Sequence, residues 1–64
     1  MKPTIIEVKS TIKGITYTIG YLEQHPSFYK ALNADMRAID DQEYKEPCKA
    51  ERVVLEAFER EYRI

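Results

Sequence analysis

The chain has 64 residues, 44% apolar and 33% charged, with a net charge of −1 at pH 7. That length allows one small domain, and that balance excludes a disordered tail and a general polyanion binder. One cysteine, Cys48, and one histidine, His25, exclude an internal disulfide framework and fall short of the four ligands of a closed zinc site.

The first predicted element is a hairpin over about residues 4–22. Thr4 to Ser10 and Ile15 to Leu22 are rich in β-branched and aromatic residues, with Lys13-Gly14 between them. A two-residue loop pairs Ile12 with Ile15, and a four-residue loop over Thr11–Gly14 shifts the pairs by two on the same face. The four-residue loop is preferred, because Lys13 is a poor residue for a type I′ turn. Either register places Ile6, Val8, Ile15, Tyr17, Ile19 and Tyr21 on one face and Glu7, Lys9, Thr16, Thr18 and Gly20 on the other.

His25-Pro26-Ser27 ends the second strand and reads as the start of a helix over about 27–40. Phe28, Leu32, Met36 and Ile39 recur at helical spacing, and Ala31, Ala34 and Ala38 form a strip narrow enough for a second helix to approach. After a polar connection, Pro47 opens a further helix over about 47–63. Its polar arc holds Lys49, Arg52, Glu56, Glu59, Arg60 and Arg63, and the rest is mostly apolar over roughly 220°. One sheet and one neighbouring helix need a stripe of roughly 100°. The surplus has two explanations: a helix inserted deep in the core, or a face for a second chain. The expected fold is α+β, a single domain over residues 1–64 with a two-stranded antiparallel hairpin followed by two helices packed on one face (ββαα).

Few residues point to chemistry. Cys48, early in the last helix, reads as a small buried hydrophobe, and nothing in the spacing brings His25 to it as a base. Asp40, Asp41, Glu43 and Glu46 supply oxygen ligands but lack the EF-hand spacing and its glycine, so a solvated linker is expected. Glu23 has no carboxylate partner at acid–base spacing. No catalytic residue, metal site or cofactor is expected. No apolar run approaches the ~20 residues of a membrane span, no signal peptide is expected ahead of the domain, and the expected setting is reducing and cytoplasmic.

What remains is association. Residues 1–30 are net +2 and residues 31–64 net −3, a dipole suited to oriented binding. The expected function is a small non-enzymatic protein-interaction module, a homodimer that regulates or inhibits a larger protein. Size alone likens it to the small regulators of phages and other mobile elements. The expected interface is Val53, Val54, Ala57, Phe58 and Tyr62, with Arg60 and Glu61 at its rim. Hairpins pairing edge to edge would also remove exposed strand edges. The alternative is a nucleic-acid-binding or transcription-regulating protein that uses the basic N-terminal hairpin, with Tyr17 and Tyr21 alternating as a stacking platform.

Overall fold

The computed structural model describes residues 2–62. Strands β1 (Thr4–Ile12), β2 (Ile15–Gln24) and β3 (Tyr29–Leu32) form an antiparallel meander in the order β1-β2-β3, and helix α1 (Pro47–Tyr62) follows. The expectation of a two-stranded hairpin followed by two helices is overturned. Residues 27–40 hold the third strand and a series of turns instead of a helix.

The β1–β2 loop has two residues, with Ile12 opposite Ile15. Lys13 and Gly14 both take positive φ, 52° and 82°, the signature of a type I′ turn. The four-residue loop is therefore wrong. The right-handed twist of the flanking strands favours this turn enough to hold a lysine in the left-handed region.

Register changes once along the hairpin. Lys9 faces Thr18 but Val8 faces Gly20, so Ile19 is an extra residue, a β-bulge. The bulge reverses the alternation of β2. Ile15 and Tyr17 share the helix-facing side with Ile19, but beyond it Gly20 and Leu22 take that side. Tyr21 passes to the opposite face beside Glu7. This corrects two expected positions: Tyr21 leaves the apolar face, and Gly20 is buried rather than solvent-facing.

The local chemistry after Ser27 explains the missing helix. Asn33 Oδ1 accepts hydrogen bonds from the backbone N–H groups of Asp35 (2.9 Å) and Arg37 (3.0 Å), which offers the chain a turn in place of a helical ladder. Met36 sits at φ 66°, outside any right-handed helix. The segment then turns back along β3. Ile39 N–H donates to the Ala31 carbonyl at 3.0 Å, and Tyr29 and Tyr44 exchange both backbone bonds. The outer edge of β3 is thus covered by the chain itself.

Helix α1 begins where Pro47, whose missing N–H is no loss in the first turn, follows Glu46. The Glu46 carbonyl accepts from Lys49 N–H at 3.2 Å and from Ala50 N–H. The helix lies over β2 and β3 and barely touches β1. Its Ala50 and Val54 join Val8, Ile19, Leu22 and Ala31 in the core, edged by Ile6, Tyr29, Ile39, Tyr44, Val53 and Phe58. Leu22 and Val54 are fully buried, each stabilising the fold by about 1.5–3 kcal/mol. Helix and sheet come close together at Gly20. A Cβ there would lie 2.6 Å from the Leu32 carbonyl oxygen and strike Val54 Cγ1, so only glycine lets the helix sit this low.

Candidate functional site

Core formation leaves one end of the molecule uncovered. A strand rises about 3.3 Å per residue and a helix only 1.5 Å, so the helix cannot shade the full length of the hairpin. The molecule is elongated, 37 × 20 × 18 Å. Ile15 and Tyr17 remain 56% and 45% exposed although they face the helix side of the sheet.

Beside them the last turns of α1 complete an apolar notch. Ile12, Tyr17, Thr18, Ala34, Phe58 and Tyr62 line an open depression of about 400 Å³. Phe58 and Tyr62, one helical turn apart, hold their rings 4.7 Å apart at 34°. Tyr62 is 60% exposed, which makes it the most open large apolar side chain described. An adjoining cleft of about 290 Å³ carries Arg60 and Glu61 next to Ala57 and Phe58. The surface is an aromatic floor with charges of both signs at its margin.

The expected interface residues divide between this surface and the core. Val54 is buried, and Val53 and Phe58 pack against the core cluster. Ala57 is half-buried, while Arg60, Glu61 and Tyr62 are exposed. Much of the surplus apolar arc of α1 is therefore used internally. Arg63, assigned to the polar arc, lies outside the described residues. Ile12, Ile15, Tyr17 and Ala34 were not expected at such a surface. The signal for the first three was a hairpin whose apolar face runs up to its turn.

The remaining polar candidates are accounted for locally. Cys48 is exposed rather than buried, with Sγ 3.9 Å from Glu46 Oε2. His25 engages Glu23 through Nε2 and Oε1 at 2.5 Å and stacks on Phe28 at 4.4 Å, so its contacts are with the end of β2 and the loop that follows it. In the acidic connection, Asp40 Oδ1 accepts from Gln42 N–H and Oδ2 accepts from the Tyr44 hydroxyl at 2.6 Å. That hydrogen bond, with burial and the nearby carboxylate charges, raises the Tyr44 pKa to about 12. Among the described residues, no cluster of three metal-ligating side chains occurs, and no helix is long and apolar enough to cross a membrane. Comparison with protein families, curated proteins and solved structures finds no match.

Proposed function

We propose that this chain is a non-enzymatic protein-interaction module that self-associates and regulates a larger protein by occupying part of its surface. The observation that carries this reading is the apolar notch bounded by the exposed Tyr17 and Tyr62 and the half-buried Phe58, with the exposed Ile15 at the end of the same sheet face. Aromatic residues with a charged margin are the composition of a protein-binding patch. Arg60 and Glu61 would set the orientation of the partner, an apolar segment or side-chain cluster of a folded protein.

The nucleic-acid alternative has less support. The bulge separates Tyr17 from Tyr21 and leaves Tyr21 beside Glu7, which removes the paired stacking surface.

The two readings part in one experiment. The tagged protein is cross-linked in its host, and the captured material is identified for the native chain, for Tyr17→Ser, for Tyr62→Ser and for a Lys49→Glu control. The proposal expects one protein captured by the native chain and the control and lost from both tyrosine variants at unchanged melting temperature. Capture of nucleic acid that weakens steeply with salt, or of the same material by all four chains, would overturn it.

A further inference from the structure

The two outer strands of the sheet differ. The edge of β3 is covered by its own chain through Ala38 and Tyr44. The edge of β1 carries no neighbour among the described residues, although β1 is nine residues long. Its backbone alternation follows from the type I′ turn, which makes Ile12 and Ile15 a hydrogen-bonded pair. Counting back from Ile12, the even residues turn their N–H and C=O groups toward β2. Ile5, Glu7, Lys9 and Thr11 turn theirs to the open edge. Charged residues usually blunt such an edge. Here the two charges have opposite sign and stand symmetrically about Val8, with Glu7 Oε2 and Lys9 Nζ at 3.3 Å on the open face.

We propose that β1 pairs antiparallel with β1 of a second copy, its two-fold axis passing through Val8, to form one six-stranded sheet. This rests on the reading of the chain as self-associating, and it assigns that contact to the strand edge rather than to a helix face. Three features select the register. Only pairings that match odd residues with odd residues satisfy the edge hydrogen bonds and keep the helix-facing side chains together. Among these, axes through Glu7 or Lys9 place like charges opposite each other, as does a parallel in-register pairing. The axis through Val8 places each Glu7 opposite the Lys9 of the other copy, twice per dimer. It also pairs Thr4 with Ile12, so that all nine residues of β1 are used.

Both helices then lie on the same side of the sheet. On each copy a groove of about 260 Å³ lies between Val8, Lys9 and Ser10 of β1 and Glu51, Arg52 and Leu55 of α1, on the β1 side of the helix. Pairing merges the two grooves above the adjoining Val8 side chains and shields Leu55, 39% exposed in the single chain.

The test uses sedimentation and thiol cross-linking of the full chain in a Cys48→Ser background. Glu7→Lys and Lys9→Glu each place like charges across the axis, and each is expected to weaken the dimer about tenfold. The double exchange Glu7→Lys/Lys9→Glu restores it. Val8→Cys is expected to form an intermolecular disulfide on mild oxidation, because opposed non-hydrogen-bonded residues meet the distance requirement. Lys30→Cys, on β3, is not. A monomer at every concentration would overturn both self-association and this pairing. A dimer indifferent to the charge exchanges and resistant to the Val8→Cys cross-link would overturn the pairing alone.

Discussion

At the residue scale, two positions carry constraints that composition does not reveal. Gly20 is the point where Val54 and the Leu32 carbonyl come too close to admit a side chain. Gly20→Ala is expected to destabilise the fold by about 1–3 kcal/mol, the usual range for overpacking, read as a lower urea midpoint with an unchanged slope. Tyr44 is the other. Its pKa is raised to about 12 by the hydrogen bond to Asp40, from 10.0 in the unfolded chain. The folded state therefore holds the phenol proton more tightly. The corresponding stability is complete below pH 10 and is lost as pH rises toward 12. Tyr44→Phe removes the hydrogen bond at a cost of about 1 kcal/mol and flattens this alkaline slope, as urea titrations at stepped pH will show. The strand alternation alone assigns Gly20 to the solvent face, because close approach is a property of two elements and leaves no trace in either.

At the scale of elements, the hairpin and the last helix were legible, and the middle of the chain was not. Alternating β-branched residues around Lys13-Gly14 and the Pro47 start followed by a compact polar arc are long, repeated signals. Tyr29-Lys30-Ala31-Leu32 offers only two alternations, whereas Phe28, Leu32, Met36 and Ile39 fit a helical stripe over twelve residues. The stripe lost because Asn33 closes a turn with its own side chain and because β3 completes a sheet that two strands alone stabilise poorly. The apolar notch was only partly legible, since Phe58 and Tyr62 stood out on the helix while Ile15 and Tyr17 read as core and Ile12 fell in the expected four-residue loop. Turn chemistry gives a further prediction. Lys13 holds φ 52° without a glycine's freedom, so Lys13→Asn is expected to raise stability by about 0.5–1 kcal/mol. Thermal unfolding of the two chains at matched low concentration measures it.

For the whole molecule, size dominates. At about 0.05–0.15 kcal/mol per residue, a chain of this length has only several kcal/mol of stability in hand. Its cluster of fully enclosed side chains is small, with no buried polar side chain among the described residues. Association across β1 would therefore alter stability visibly. The melting temperature is expected to rise with protein concentration, because binding to the folded state alone stabilises it by mass action. Scans over a hundredfold concentration range will show the trend. It should move to about tenfold higher concentration in Glu7→Lys and stay in place in Tyr62→Ser, which separates the strand edge from the notch.

The bulge at Ile19 gives β2 one residue of slack. If Thr18 is deleted, Ile19 can move into its place opposite Lys9, and Val8 still faces Gly20. If Ile19 itself is deleted, the ladder simply becomes regular. Either way every pair beyond Gly20 is preserved. A deletion at Tyr21 or Leu22 can draw on this reserve only by moving Ile19 into the place of Gly20, where a side chain strikes Val54 and the Leu32 carbonyl. A deletion scan along β2, scored by protease resistance, should therefore show a window of partial tolerance ending at Ile19, with loss of fold immediately after it.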